Sequence, residues 1–462
     1  MKKVVFVLLC LGIVTPLTWI LIYKFEGSAP EVTVQMPSLY LKKTDLMELK
    51  VRDAKSGIRQ VTVSLIQKDN EKILLDKTFS PDSLLTILSG PETSEASFSI
   101  PIETRKYGMS DGEAVIRILV TDGSWRGWNK GNRYYEEKQV VIDTQPPKVS
   151  ILSQQHNVER GGSGLVIYRV YESDIKSGVL VGDNFFPGHP GLFKDPQVMA
   201  AFFALDHNQG PGTRLLVQAQ DLAGNVTERG FHHYIRDANF RNDTLNISDE
   251  FLERKMPDID TGAKEESFSQ EQNPLLAKFL YINGEFRAQN VKTVLDVPSD
   301  TVEKMLWKDK FDRLNNSANR AKFADRRTYK YKGKEIDKAV HLGIDLASVS
   351  NAPVGASNSG RVIFTDNVGI FGNTIILDHG FGLASLYCHL SEIQVNKGDE
   401  VAKGDIIGKT GLTGLAGGDH LHLSMIVHNV FVNPVEWWDP AWIKNNITSK
   451  IDAVEKELSA GN

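Results

Sequence analysis

Cysteine is nearly absent from this sequence, and there is no excess of positive charge. The 462 residues include two cysteines, Cys10 and Cys388, which are too few and too far apart for a disulfide framework. The formal net charge is −5, so the sequence lacks the strong basic character expected of a nucleic-acid-binding protein. We therefore expect no nucleic-acid partner, and stability must come from packing or from a bound metal.

The composition is that of a globular protein with several domains. Hydrophobic residues make up 41% of the chain and charged residues 24%, which excludes a disordered protein. A chain of 462 residues exceeds one ordinary domain, and its length predicts about three domains.

The N-terminus contains an uncharged apolar run from Val4 to Tyr23. About 20 apolar residues span the core of a bilayer, so this run predicts a transmembrane helix. Lys2 and Lys3 precede the run, and the positive-inside rule then places the N-terminus in the cytoplasm and the following chain outside the inner membrane. The alternative is a cleaved signal peptide, whose apolar core is shorter and is followed by small residues. The sequence Tyr23-Lys24-Phe25-Glu26 follows here, which favours an uncleaved anchor.

Two consecutive regions show the patterns of β-strands. Val61, Val63 and Leu65 alternate with polar residues in the first region, as in a half-buried strand. Pro146-Pro147 breaks the chain, and Leu165 to Val170 predicts a strand of the second region.

The two regions also share short motifs. Asp53-Ala54-Lys55-Ser56-Gly57-Ile58 is echoed by Asp174-Ile175-Lys176-Ser177-Gly178-Val179, and Val120-Thr121-Asp122 by Ala219-Gln220-Asp221. This echo indicates a repeated β-sandwich module. Asp221-Leu222-Ala223-Gly224-Asn225 resembles the final turn of bacterial immunoglobulin-like domains. Two unrelated β domains are the alternative. We assign these modules no chemistry, and other cell-envelope proteins are their candidate partners.

Residues 240 to 310 change to a helical pattern. Ser248 is placed to cap a short helix that ends before Pro257. Asn273 as N-cap, Pro274 at the first helical position and Gly284 after the end frame a second helix. We expect a third helix around Val302 to Phe311.

The β pattern returns after about residue 311, and a last helix ends the sequence. In that helix Ile447, Ile451, Val454 and Leu458 recur at helical spacing, so they form one apolar stripe that we expect to dock on the protein's own surface. The strands predicted before it are Gly360 to Thr365, Asn373 to Asp378, Ala384 to His389 and His420 to Val427.

Histidines cluster in this C-terminal region, which holds six of the eleven in the chain. Residues two apart on a strand point to the same face, so His420 and His422 would enter one site. His341 and Asp345 supply another histidine and a carboxylate. A catalytic zinc site typically has three protein ligands and an open position for water, and these residue types suit it. Two further histidines would remain to handle protons.

At these residues the chain resembles the lysostaphin-like (LytM-type) zinc metallopeptidases. Their pattern is H-x-x-x-D, then L-Y-x-H-L at the end of a strand, then H-x-H after glycines. The corresponding segments here are His341 to Asp345, Leu386-Tyr387-Cys388-His389-Leu390, and Gly411 to His422. The resemblance covers roughly residues 311 to 440. It implies zinc-dependent hydrolysis of amide bonds in the peptide part of bacterial peptidoglycan.

The resemblance also implies a role for each motif residue. His341, Asp345 and His422 would bind one zinc ion per chain, and His389 and His420 would be catalytic. The family often has F-G-x-R before the first ligand, where this sequence has Phe323-Ala324-Asp325-Arg326-Arg327. This departure leaves the role of Arg326 or Arg327 open.

Three other functions compete with this interpretation. Cys388 next to His389 suggests a cysteine peptidase, but adjacent strand residues face opposite sides, so Cys388 should point into the core. Relatives that have lost metal ligands regulate other wall hydrolases without cutting, yet all five motif residues are present here. A latent enzyme, occluded by residues 240 to 310, is the third.

Together these patterns predict a mainly β protein with an N-terminal transmembrane helix and an antiparallel β peptidase domain on the periplasmic side of the inner membrane. The predicted segments are a transmembrane anchor over 1–28, immunoglobulin-like β-sandwich domains over 29–145 and 146–238, a helical linker over 239–310, a zinc metallopeptidase domain over 311–440 and a C-terminal helix over 441–462.

Overall fold

The computed structural model describes residues 2–79, 93–262, 266–269, 271–297 and 300–460. Strands hold 43% of the residues and helices 20%, which confirms the prediction of a mainly β protein. The chain divides into two compact units. The first contains residues 1–147 and 220–226, and the second contains residues 148–219 and 227–462.

The first unit begins with helix α1, Lys2–Lys24. Its segment Phe6–Lys24 has 19 residues and a mean hydropathy of 2.3 over its most apolar window, and none of that window is buried inside the protein. Nineteen helical residues extend about 28 Å, close to the thickness of a bilayer core. The helix is therefore compatible with a membrane anchor or a signal sequence.

Two antiparallel-rich sheets follow α1 in the first unit, with strand orders β1-β3-β6 and β2-β8-β7-β4-β5. Alternate residues of β4 and β7, such as Val61, Val63, Ile116 and Ile118, are fully buried because every second side chain faces the core. The short helix α2, Arg126–Asn129, connects β7 to β8. The strands are β1 Glu31–Gln35, β2 Tyr40–Leu41, β3 Asp45–Arg52, β4 Ile58–Gln67, β5 Asn70–Thr78, β6 Glu95–Ile102, β7 Gly112–Asp122 and β8 Arg133–Ile142.

The second unit opens with another β region, whose sheets have the orders β14-β11-β9, β13-β12-β15-β16 and β10-β17. The immunoglobulin-like form of both β regions stays a prediction. The strands are β9 Val149–Ile151, β10 His156–Glu159, β11 Ser163–Val170, β12 Lys176–Val181, β13 Asn184–Pro187, β14 Val198–Ala204, β15 Leu215–Gln220, β16 Val226–Gly230 and β17 His233–Arg236.

The echoed motifs take different local conformations. Asp53 is buried, and its Oδ1 accepts hydrogen bonds from the backbone of Lys55 and Gly57. Asp174 is exposed and lies in the left-handed region with φ of 58°. The aspartate of the motif therefore stabilises a turn through its side chain in the first region and not in the second.

The linker contains a strand as well as helices. Ser248 caps a helix as predicted, because its side chain accepts a hydrogen bond from the Phe251 amide, and Asn273 caps another through the Leu276 amide. The elements are β18 Asn242–Ile247, α3 Asp249–Lys255, α4 Glu266–Ser269, α5 Pro274–Tyr281, a π-helical turn Ile282–Phe286 and α6 Arg287–Asp296.

Two helix predictions for the linker are wrong. Gly284 does not end the second helix, since the chain continues through the π-helical turn into α6. Burial of Ile282 and Phe286 offsets the cost of a helical glycine, about 1 kcal/mol. Val302 to Phe311 forms no helix, because its backbone bonds instead to residues 379–381, for example through the 2.9 Å bond from the Leu306 amide to the His379 carbonyl.

The C-terminal region forms an eight-stranded sheet whose central path is β19-β22-β30-β26-β25-β24-β28. All four strands predicted there are present. Strand β18 of the linker pairs in parallel with β20, which also pairs with β21. The strands are β19 Ala318–Ala321, β20 Asp325–Tyr331, β21 Lys334–His341, β22 Ile344–Ala347, β23 Pro353–Gly355, β24 Gly360–Val368, β25 Gly372–Gly380, β26 Leu383–Leu390, β27 Glu392–Ile393, β28 Glu400–Val401, β29 Ile406–Lys409, β30 Leu421–Val427 and β31 Val430–Val432.

The chain ends in helices that pack against the second β region. Ile447 and Val454 are buried in a core that also holds Phe202 and Trp437, and Ile451 and Leu458 pack against it, so the apolar stripe docks on the protein itself as predicted. The elements are α7 Pro434–Trp438, α8 Pro440–Ile443, a π-helical turn Lys444–Thr448 and α9 Ser449–Ala460.

Candidate metal centre

Three strands bring the predicted ligands together. His341 ends β21, Asp345 lies in β22, and His422 lies in β30. Asp345 and His422 are direct partners in the antiparallel register of β22 and β30, so their side chains lie on one face of the sheet. Gly343 makes this approach possible, because a Cβ at that position would lie 2.5 Å from both His422 Nε2 and Ser424 Oγ.

The three donor atoms converge on one point. Asp345 Oδ1 lies 2.9 Å from His341 Nε2 and 2.9 Å from His422 Nδ1, and the two nitrogens are 2.9 Å apart. Donor atoms around a tetrahedral zinc ion with bonds of 2.0–2.1 Å are roughly 3.3 Å apart, so this triangle is slightly smaller than a zinc ion requires.

Hydrogen bonds fix which nitrogen of each ligand histidine carries a proton. His341 Nδ1 lies 3.0 Å from the Lys322 carbonyl, which can only accept, so Nδ1 is protonated and Nε2 is bare. Ser424 Oγ donates to the Leu342 carbonyl at 2.8 Å and therefore accepts from His422 Nε2 at 3.0 Å, which leaves His422 Nδ1 bare. Two lone pairs and a carboxylate oxygen thus face one another at 2.9 Å. Such a set repels itself unless a cation lies between its members, and it fits a zinc ion.

Both carboxylate oxygens of Asp345 have polar neighbours. Arg327 Nη2 lies 3.2 Å from Asp345 Oδ2, which leaves Oδ1 for the metal point. Burial raises the pKa of Asp345, but the charge and the hydrogen bonds that His341, His420 and His422 supply in their protonated forms outweigh burial, so the pKa lies well below its usual range. The carboxyl is therefore ionised. The sequence left open which of two adjacent arginines acts at the site. Arg327 contacts the ligand Asp345, whereas the backbone amide of Arg326 bonds to the Arg241 carbonyl.

The two predicted catalytic histidines lie beside the three donors. The ring centroids of His389 and His420 are 4.8 Å apart, and His420 Nε2 lies 3.4 Å from Asp345 Oδ1. His389 Nδ1 donates to the Thr413 carbonyl at 2.8 Å, and His420 Nδ1 donates to the Gly418 carbonyl at 2.7 Å. Both rings therefore keep Nε2 bare. His389 has a φ of 61°, a strained value for a residue other than glycine.

All five residues line a cavity of about 380 Å³. Gly414, in the preceding glycine-rich loop, has a φ of 66°, and a Cβ there would lie 2.5 Å from the backbone of Gly372 and Ile370. Cys388 is fully buried, and burial raises the pKa of its thiol. The prediction that Cys388 points into the core is confirmed, which removes the cysteine-peptidase alternative.

The profile of peptidase family M23 matches residues 339–434, a range that contains all five residues. The C-terminal region contains a peptidase family M23 domain.

Curated relatives are similar to part of this chain. The chain is 40% identical to peptidoglycan DD-endopeptidase ShyA of Vibrio cholerae over 121 residues, which is 26% of each protein. It is 38% identical to DD-carboxypeptidase/endopeptidase Mpg of Neisseria meningitidis over 96 residues, 21% of this chain and 22% of Mpg. The match thus spans about a quarter of the length of these relatives.

Among solved structures, the catalytic domain of the antimicrobial peptidase lysostaphin from Staphylococcus simulans is similar to this chain. The identity is 28%, the match covers 28% of this chain and 96% of that domain, and the TM-score is 0.24.

Several residues around the M23 site were not found from the sequence. Ser424 lies two residues after His422 on the same strand, so period-two alternation could have indicated it. Phe251, Phe279 and Arg287 of the linker also line the cavity. No local pattern points to these three, because their position depends on how the linker packs on the sheet.

Proposed function

We propose that this protein is a membrane-anchored zinc endopeptidase that hydrolyses amide bonds in the peptide part of peptidoglycan. The observation that carries the proposal is the convergence of His341 Nε2, Asp345 Oδ1 and His422 Nδ1, in bare and ionised forms, beside two further histidines. The named activities of the relatives that match the M23 domain support peptidoglycan as the substrate.

The residues around the metal point have complementary tasks. A zinc ion, when bound, polarises a peptide carbonyl and lowers the pKa of a water molecule toward neutrality. His389 and His420 each offer a bare Nε2, so either ring can take the proton of the attacking water. The same ring can then give that proton to the leaving amine, and the other ring can hydrogen-bond the developing oxyanion when its Nε2 is protonated as well. Arg327 keeps the Asp345 carboxylate oriented throughout.

Contacts after α1 support an uncleaved anchor. The Trp125 amide donates to the Lys24 carbonyl at 2.7 Å, and the Ser56 amide donates to Glu26 Oε1 at 2.8 Å. Glu26 is buried, and Ser124 Oγ bonds to its carbonyl. The residues directly after α1 are therefore part of the folded first unit, which is consistent with an anchor that stays on the chain. The anchor would hold the M23 domain on the periplasmic side of the inner membrane.

The latent-enzyme alternative gains one observation, since linker residues line the cavity. The linker is nevertheless part of the folded unit, because β18 pairs with β20 over six residue pairs. Removing residues 240 to 305 would thus break a sheet as well as open the cavity, so the direct test is activity of the intact chain.

The test uses the full-length protein in detergent, with zinc content and release of peptides from isolated peptidoglycan as readouts. We expect about one zinc ion per chain, peptide release that stops with a chelator and returns with added zinc, and no zinc in His422→Ala. A wild-type protein that holds zinc but cuts no wall preparation supports a regulator instead. Absence of zinc in the wild type would overturn the proposal.

A further inference from the structure

The linker supplies one side of the M23 cavity. Leu245 and Ile247 of β18, Phe251 of α3, Phe279 of α5 and Arg287 of α6 all line it. Four of these residues are apolar. Asp243 and Asn246 of β18 also line the cavity, and Asp243 is paired with Arg241, so Arg287 is the one cation that the described linker residues contribute to the lining. A charged group in such a place is costly unless an anion compensates it.

Arg287 has no anionic partner in the described parts of the chain. Its Nε donates to the Asn283 carbonyl at 3.1 Å and its Nη2 donates to Asn283 Oδ1 at 2.8 Å, and both acceptors are neutral. The nearby Asp337 carboxylate accepts instead from Asn283 Nδ2 at 2.7 Å. By contrast, Arg327 of the same cavity is paired with Asp345.

The guanidinium therefore has donors to spare. A guanidinium carries five N–H groups, of which two bond to Asn283, so three remain. Three free donors on adjacent nitrogens suffice for a bidentate pair with a carboxylate. Burial lowers the pKa of Arg287, with the charge of Arg327 adding to the effect, but a guanidinium stays charged at every working pH.

We propose that Arg287 forms a subsite that binds a free carboxylate of the substrate peptide beside the scissile bond. The inference rests on the proposed function, because it concerns the same cavity. It assigns the linker a share in substrate selection. The substrate class is a peptide that presents one carboxylate next to apolar groups, which can pack on the wall of Leu245, Ile247, Phe251 and Phe279.

A purely structural role is the competing explanation. Both bonds of Arg287 go to Asn283, which lies in the π-helical turn, so the side chain also stabilises that turn. If this were its whole role, its replacement would affect every substrate equally. A carboxylate subsite instead predicts an effect that depends on the substrate's charge.

The experiment compares two synthetic cross-linked peptides that differ in one group, a carboxylate or a carboxamide next to the scissile bond. Full-length, zinc-loaded wild type should prefer the carboxylate peptide by about 10- to 100-fold in kcat/KM, mainly through KM, as expected for a hydrogen-bonded charge pair. Arg287→Gln should lose this preference, so that kcat/KM falls much more for the carboxylate peptide than for the carboxamide peptide. Arg287→Lys should keep part of the preference for the carboxylate peptide, because lysine retains the positive charge but lacks the paired N–H donors of the guanidinium.

Lys292→Gln is the matched control, since it removes one charge from the exposed face of the same helix. It should leave the preference intact. Equal losses on both peptides in Arg287→Gln, or no preference in the wild type, would overturn the subsite. Binding of both peptides is measured in parallel, so a wild type that binds with the charge preference but cuts neither peptide refutes the proposed function and retains the subsite.

Discussion

The second unit holds two groups of buried or half-buried histidines, and burial alone does not separate them. One group surrounds the metal point, and we call its members the cavity histidines. The other group, the packing histidines, lies where the second β region, the segment after the linker and the M23 domain meet. The cavity histidines are His341, His389, His420 and His422, and the packing histidines are His189, His379 and His428.

The packing histidines contribute mainly through the packing of their rings. His189 and His428 stack with centroids 5.5 Å apart and planes within 5°, and the Nε2 of each has no hydrogen-bond partner among the described atoms. His379 is fully buried and bonded to the Ser359 carbonyl and to Ser385 Oγ. Among the described residues, no carboxylate oxygen converges with their nitrogens. The comparison teaches that a metal site needs aligned lone pairs and a carboxylate, and that buried histidine without them is core.

The largest expected difference between the groups is in metal binding. His341→Ala removes one of three donors and should abolish zinc binding and peptide release. His428→Phe, which replaces a stacked ring by a ring, should keep about one zinc ion and most of the activity. Elemental analysis and peptidoglycan digestion of both variants measure this. Zinc loss in His428→Phe would show that the two groups are not separate.

The next effect divides the cavity histidines themselves. His420→Ala should keep zinc, because His420 is not among the three converging donors, and should lower kcat by about 10²–10⁴, the usual contribution of a positioned acid or base. Zinc content and kcat are measured on the same preparation. Loss of zinc together with activity would place His420 among the ligands instead.

A smaller effect is expected from the residues that hold the rings. Ser424→Ala removes the acceptor that keeps His422 Nδ1 bare, so zinc affinity should fall about 10- to 100-fold. Ser385→Ala is the control, since Ser385 Oγ is hydrogen-bonded to Nε2 of the packing histidine His379. Competition with a chelator measures both affinities. Equal affinities in the two variants would contradict the tautomer argument.

The smallest effect concerns pH. Burial lowers the pKa of His428 to about 3, below the ordinary value of 6.5. The unfolded chain therefore binds this proton between those values while the native chain does not, so stability is complete above about pH 6.5 and falls as the pH is lowered, by at most about 1.4 kcal/mol per pH unit. His428→Phe should make Tm less sensitive to acid between pH 6.5 and 4.5. An unchanged slope would mean that His428 does not titrate on unfolding.

The sequence predicted the centre of the M23 domain well because its signals are local. Short apolar segments between glycines and polar residues indicate β24, β25, β26 and β30. The rule that adjacent strand residues face opposite sides places Cys388 in the core and His389 at the cavity. Helix caps at Ser248 and Asn273 are equally local.

The errors come from contacts between distant parts of the chain. Val302 to Phe311 has the pattern of a helix, but its backbone finds partners near His379 instead. Gly284 reads as a helix end, but the buried Ile282 and Phe286 carry the helix across it. The motif at Asp174 copies the one at Asp53 without its turn. Arg287 reaches the cavity through tertiary packing, which no spacing in the sequence encodes.

The parallel pairing of β18 with β20 determines where a soluble catalytic fragment of this chain can begin. The family match begins at residue 339, yet Phe279 packs on Tyr329 with ring centroids 5.5 Å apart, and Ile247 and Leu252 lie in the same core as Ile344. A fragment cut at residue 311 would expose this apolar surface and leave β20 as an unpaired edge, which invites aggregation. An excised catalytic fragment should therefore begin before residue 242 to remain soluble.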